Sequence, residues 1–231
     1  MTRSTLEPPL VSGVWRATSR LILATYGDET PPHFSALVDD PEDVESLGEL
    51  ANATNQRLLA QGGRGSMAIG PEELVFDVDF SKIINAAFTY PGQGGRFHSS
   101  RRGAWYSALE IETCIAEVGH HHAVTLNESG LTEGSRDYIE YRCDIAGQPF
   151  ADLRIGDFSS VLDPDSHVAG QNLAADLLDR GAAGVVYPSV RRAPGTCVVC
   201  FRPALLPPVE PARTYRLDWS GSRLISTTQL T

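Results

Sequence analysis

Between Gly94 and Glu117 the chain passes from a glycine turn to a short apolar run and then to a helical stripe. No other stretch limits the fold as much. Tyr90-Pro91-Gly92-Gln93-Gly94-Gly95 is turn chemistry, because Pro and Gly break both regular periods. Ala104-Trp105-Tyr106 is apolar, follows Gly103 and is too short for a helix, so it predicts a strand. From Leu109 the period changes. Ile111, Cys114, Ile115 and Val118 recur at i, i+3, i+4 and i+7, which is one face of a helix. At about 100° per residue, Glu117 falls on the flank of that stripe beside Cys114, with Glu110 and His121 on the same flank and Glu112 on the other side. Three successive elements thus deliver Arg96, Tyr106 and Glu117. That trio suits a cleft for an anionic, sugar-containing ligand.

The rest of the chain is a succession of short elements. Val14-Trp15-Arg16-Ala17 predicts a short strand. Residues 24–41 hold Gly27, Pro31, Pro32 and Pro41 and read as loop. Pro41-Glu42-Asp43 opens an expected helix, with Asp40 as cap and acids in its first turn. That helix would carry Val44, Leu47, Leu50, Ala51, Leu58 and Leu59 and stop near Gly62-Gly63. Leu74-Val75-Phe76-Asp77-Val78 is assigned as strand. Tyr138 to Ile145 alternates at period two, as an antiparallel strand does. Phe150 to Ile155 is extended, and Gln171 to Arg180 is an amphipathic helix stopped by Gly181. Val185-Val186-Tyr187 and Cys197 to Phe201 are buried strands. Pro203 to Pro211 is an extended connector, with Tyr215-Arg216-Leu217 as the last strand. Strands interspersed with a few helices predict a mixed α+β domain rather than regular βαβ winding.

Length and composition allow one sizeable core in 231 residues. The net charge of −10 argues against a general nucleic-acid or anionic-membrane binder. Lys82 is the only lysine, and Arg96, Arg101 and Arg102 crowd together as a local positive spot in an acidic chain. The first residues hold no apolar h-region and no run approaches a membrane span, so the chain reads as cytoplasmic. Cys114, Cys143, Cys197 and Cys200 lack the spacing of a secreted disulfide framework, and Cys197-x-x-Cys200 lies in an apolar run where buried structural thiols are expected.

Each candidate side chain has a plain structural alternative. Arg96 after two glycines offers a planar fork to phosphate, or pairs with a surface acid. Tyr106 is core, or an aromatic wall beside a ring ligand. Glu117 is a solvated helix glutamate, or a carboxylate that stabilises positive charge on a sugar carbon. Ser189 follows a buried strand and Pro188, as a turn residue or a rigidly held hydroxyl. Arg16 within an apolar strand needs an anionic partner, which an internal acid supplies as well as a ligand does. His120-His121-His122 has helical spacing to Glu117, but no second ligand cluster exists elsewhere and no metal site is assigned.

Together, Gly-Gly-Arg96-Phe97, Trp105-Tyr106-Ser107-Ala108, Leu109 to Glu117 and Val185 to Arg191 resemble the RES domain, from about residue 85 to 206, with Trp15-Arg16 as an outlying strand. Gly195-Thr196-Cys197 and Phe201-Arg202-Pro203 look like that family's ending. The resemblance implies one domain over residues 1–231, with 20–90 as an insertion and 207–231 as a C-terminal extension. It implies a fold like that of ADP-ribosyltransferases and consumption of NAD+ by phosphorolysis, hydrolysis or protein ADP-ribosylation. NAD+ is then a substrate rather than a cofactor, with inorganic phosphate as an optional co-substrate. Many relatives are toxins paired with an Xre-type antitoxin; the alternative is a catalytically silent partner-binding module of such a complex, and a homo-oligomer is a further expected assembly. By motif the family's arginine, glutamate and serine fall on Arg96, Glu117 and Ser189, with Tyr106 as a further pocket residue and Arg16 as a match to an early arginine.

Overall fold

The computed structural model describes residues 7–27, 55–63, 68–146, 149–221 and 223–231. Among these residues nine strands form one sheet in the order β1-β5-β6-β7-β3-β2-β4-β8-β9. They are β1 (Leu10–Val11), β2 (Val14–Leu23), β3 (Trp105–Ala108), β4 (Glu133–Ala146), β5 (Phe150–Asp152), β6 (Gly184–Pro188), β7 (Thr196–Cys200), β8 (Val209–Ser220) and β9 (Arg223–Gln229). All neighbours run antiparallel except β5 and β6. The helices are α1 (Ala24–Gly27), α2 (Gln56–Gln61), α3 (Ser81–Thr89), α4 (Ile111–Glu128) and α5 (Val168–Asp179). The architecture is α+β.

The sheet is covered on both faces. On one side Leu21, Val185, Tyr187 and Val199 pack with Cys114, Ala123 and Leu126 of α4 and with Ala174 and Leu177 of α5. On the other, Trp15, Trp105, Tyr141, Val186 and Val198 pack with Ala60 of α2 and with Ile83, Ile84 and Phe88 of α3. Alternate residues of β7 feed the two cores: Cys197 and Val199 one, Val198 and Cys200 the other. A strand covered on both faces reads as the unbroken apolar run seen in its sequence. All four cysteines are free and buried, and burial pushes the Cys114 thiol up to about 12.

Several elements differ from the sequence reading. The strand expected at Leu74–Val78 is absent; a 3₁₀ turn at Pro71–Glu73 leads into bends. Asn85 of α3 replaces the missing partner strand, since its Oδ1 accepts Val75 N–H at 3.1 Å and its Nδ2 donates to Val75 O at 2.8 Å. The short strand at Val14 runs on to Leu23, and β8 and β9 extend the sheet well beyond Tyr215-Arg216-Leu217. Pro203–Leu205 is a 3₁₀ turn rather than extended chain. Of the helix expected from Pro41, only its last part is described. There Asn55 caps α2, its side chain accepting Leu58 N–H, and Gly62 ends it. Asp40, Val44, Leu47, Leu50 and Ala51 lie outside the described residues, as does most of the expected loop at 24–41.

Strands β2 and β3 share one register pair, Ser19 with Ala108, and then part. β2 continues beside β4, and β3 beside β7. The cavity described next is lined by residues of both strands and of α4.

Candidate active site

A cavity of about 310 Å³ is lined by β2 (Arg20, Leu21), the turn before β3 (Gly94, Gly95, Arg96, His98), β3 (Tyr106, Ser107, Ala108), α4 (Cys114, Glu117, Val118, His121), His167, β6 (Tyr187), Val190, Arg191 and Cys197. Its size is in the range of small-molecule pockets.

Arg96 is only 7% exposed. Gly94, at φ +92°, turns the chain so that the arginine points inward. Helix α5 then clamps this turn. Gln171 Nε2 donates to Gly95 O at 3.0 Å, and Gly170 sits so close to the Arg96 backbone that a side chain there would collide with it. The Arg96 guanidinium donates to two backbone carbonyls, Val161 O at 3.2 Å and Asp163 O at 2.5 Å. Arg191 does likewise to Pro164 O. Carbonyls orient a cation without cancelling its charge.

Glu117 faces the cavity from α4. Its Oε1 accepts Ser189 O–H at 2.6 Å and, more weakly, Cys197 S–H at 3.7 Å. Oε2 has no protein partner among the described residues. Ser189 is itself fixed, because its Oγ accepts Arg191 N–H and Arg192 N–H, each at 3.1 Å. A donated hydroxyl proton with two amides behind it sets the rotamer of the carboxylate and leaves one oxygen for a ligand.

Tyr106 stands between these groups. Its hydroxyl accepts Phe97 N–H at 2.9 Å and lies 2.9 Å from His98 Nδ1. Burial pushes the phenol well above its ordinary value, so it stays protonated. Arg20 forms the opposite wall. Its Nη1 donates to Tyr106 O at 3.1 Å, its guanidinium carbon lies 4.7 Å from the centre of the Trp105 ring, and its Nε has no hydrogen-bond partner among the described residues. Burial lowers its pKa, which shows that the surroundings penalise the charge rather than compensate it. Among the described residues none of Arg20, Arg96 or Arg191 has a carboxylate partner. A hollow with three uncompensated arginines and one carboxylate, in a chain of net charge −10, is a site for an anion that also carries a group needing negative charge beside it.

The RES domain family model matches residues 74–220, more than half of the chain. The chain belongs to the RES domain family. The crystal structure of the M. tuberculosis MbcT-MbcA toxin-antitoxin complex is similar at 17% identity and a TM-score of 0.40, covering 63% of this chain and 76% of that one. No curated protein matches.

In this RES domain Arg96, Tyr106, Glu117 and Ser189 come from a turn, a strand, a helix and a strand end to one hollow, with Ser189 reaching it through Glu117. Arg16 does not join them. Its side chain is 77% exposed and pairs with Asp144 at 3.3 Å. The physical reason is the β-bulge between Trp15 and Thr18, where Ala17 takes φ +49° and resets which residues face inward. Arg20, four residues further along β2, reaches the cavity instead. No signal in the sequence separates Arg20 from Arg16 before the bulge is known. Arg101 and Arg102 also leave the expected positive spot. Arg101 is exposed, and Arg102 makes a bidentate pair with Glu73 at 2.7 Å and donates to Ala68 O and Phe201 O. Glu110 binds Thr113 Oγ1 and Thr196 N–H at the start of α4, away from the cavity. The three histidines splay: His121 lines the cavity, while His122 packs on Trp219 at 4.3 Å.

Proposed function

We propose that this RES domain consumes NAD+ by cleaving the bond between nicotinamide and ribose. The observation that supports it most is the pairing of one oriented carboxylate with uncompensated arginines in a single cavity. Nicotinamide is a cationic leaving group and needs no acid. The barrier lies in the oxocarbenium character of the ribose, and a fixed carboxylate lowers it electrostatically. Glu117 takes that role through Oε2, with Ser189 holding Oε1. Arg96 and Arg20 bind the pyrophosphate, Arg96 by its planar fork and Arg20 by its charge in the cavity wall. Arg191 lines the same cavity, its guanidinium held at Pro164 O, and receives the oxygen of an incoming acceptor. Membership of the RES family extends the reading to a toxin held in check by an Xre-type antitoxin. The test is the mass of the product: ADP-ribose, ADP-ribose 1″-phosphate in phosphate buffer, or a protein heavier by one ADP-ribosyl group each identify the acceptor. Intact NAD+ after incubation with the purified protein, with and without phosphate, would overturn the proposal.

A further inference from the structure

His98 has no role in the reading above, yet it touches Tyr106, the residue between the arginines and the carboxylate. Its ring is bonded at both nitrogens: Nε2 lies 3.1 Å from Pro91 O and Nδ1 lies 2.9 Å from the Tyr106 hydroxyl. A carbonyl oxygen only accepts, so the proton of the neutral imidazole sits on Nε2. The other tautomer would set two lone pairs against each other at Pro91. Nδ1 is therefore the acceptor, and Tyr106 donates its O–H to it. The same phenol oxygen accepts Phe97 N–H at 2.9 Å. The hydroxyl is then used as donor and as acceptor inside the protein. Gly95 N–H donates to His98 O at 3.0 Å and closes the turn whose middle residues are Arg96 and Phe97.

We infer that His98 is a positioning residue: it accepts the hydrogen bond of the Tyr106 hydroxyl, ties the Arg96 turn to β3, and leaves the cavity the ring of Tyr106 rather than its hydroxyl. The ligand contact at Tyr106 is thus a flat aromatic face, suited to stacking on a planar ring or covering a ribose edge. The role of His98 in turnover rests on the NAD+ reading; the tautomer itself does not. The groups facing the imidazole are Tyr106 of β3, Arg20 of β2, His167 before α5 and the Pro91 carbonyl. Burial first, and the Arg20 and His167 charges after it, hold the His98 pKa below its ordinary 6.5, which keeps Nδ1 bare at neutral pH. Protonation would put a second N–H against the phenol oxygen and turn the phenol proton out into the cavity.

Two measurements test this. Long-range ¹H–¹⁵N correlation on the unliganded protein at neutral pH reads the tautomer directly. A proton on Nε2 is expected, and a proton on Nδ1 overturns the inference whatever the enzyme does. Kinetics with NAD+ read the positioning. One such hydrogen bond is worth at most about tenfold, so His98→Leu and Tyr106→Phe should each raise KM by up to about tenfold, with a smaller change in kcat. The double variant should be no worse than either single one, because both break the same link. His98→Asn places an acceptor oxygen near the position of Nδ1 and should restore KM. Fully multiplicative single effects, or His98→Asn as impaired as His98→Leu, would overturn the positioning role. A wild-type protein that leaves NAD+ intact refutes the functional reading alone, and the correlation spectrum still decides the tautomer.

Discussion

Ser189→Ala is the substitution that bears most directly on how Glu117 works. It removes the donor 2.6 Å from Oε1 and the acceptor of two backbone amides at 3.1 Å. A hydrogen bond to a charged group contributes about 1.5–3 kcal/mol, which corresponds to roughly ten- to a hundredfold in rate if it is expressed in the transition state. It should be so expressed, because the orientation of the carboxylate matters only once positive charge develops on the ribose. The Cys197 thiol, at 3.7 Å, is too far and too weak a donor to replace the hydroxyl. We therefore expect kcat for NAD+ to fall by about ten- to a hundredfold with KM changed by less than about threefold. Ser189→Thr should retain most of the activity. Added to Glu117→Gln, Ser189→Ala should cost almost nothing more, since its effect passes through the lost carboxylate. Steady-state kinetics on the wild type and the four variants, with melting curves as the control for folding, read all of this. An unchanged kcat in Ser189→Ala, or a double variant as slow as the product of the single effects, would refute the reasoning.

Other consequences follow from the same structure. Asn85→Ala leaves the buried N–H and C=O of Val75 unpaired and should destabilise by about 2–4 kcal/mol in denaturant titration, with little change in KM. Arg16→Ala should leave NAD+ turnover unchanged and shift stability by less than about 1 kcal/mol, because its pair with Asp144 is exposed; Arg20→Met should raise KM by about tenfold or more. His98, His121 and His167 all have pKa values lowered below 6.5, each chiefly by burial, with Arg20, Arg96 and Arg191 adding to it and Glu117 opposing it at His121. The unfolded chain takes up these protons first, so stability is full above about pH 6.5 and is lost as pH falls through the folded values. The melting temperature should drop across that window, and less so in His98→Asn.

The parts of this site legible in the sequence are those whose signal is local. Trp105-Tyr106 stands between glycine and a change of period, and α4 announces itself by a stripe with Glu117 on its flank. Ser189 is legible because a buried strand and Pro188 fix its place. Arg20 is not, because a bulge at Ala17 decides which arginine of β2 turns inward, and bulges leave no mark in an alternation this short. The strand expected at Leu74 fails for a different reason. The residues suit a strand, but the partner for Val75 is a side chain from α3, a tertiary contact that no local pattern reports. His98 looks like a lone loop histidine until Pro91 and Tyr106 are seen on either side of it.

Glu117 is proposed to stabilise positive charge on the ribose of NAD+ as nicotinamide leaves. Release of free nicotinamide by the purified wild-type protein and by Glu117→Gln, followed side by side, tests it most directly. Release should match NAD+ loss in the wild type and fall by at least about a hundredfold in the variant, whose amide keeps the shape but not the charge. Equal rates of release from both proteins would contradict it.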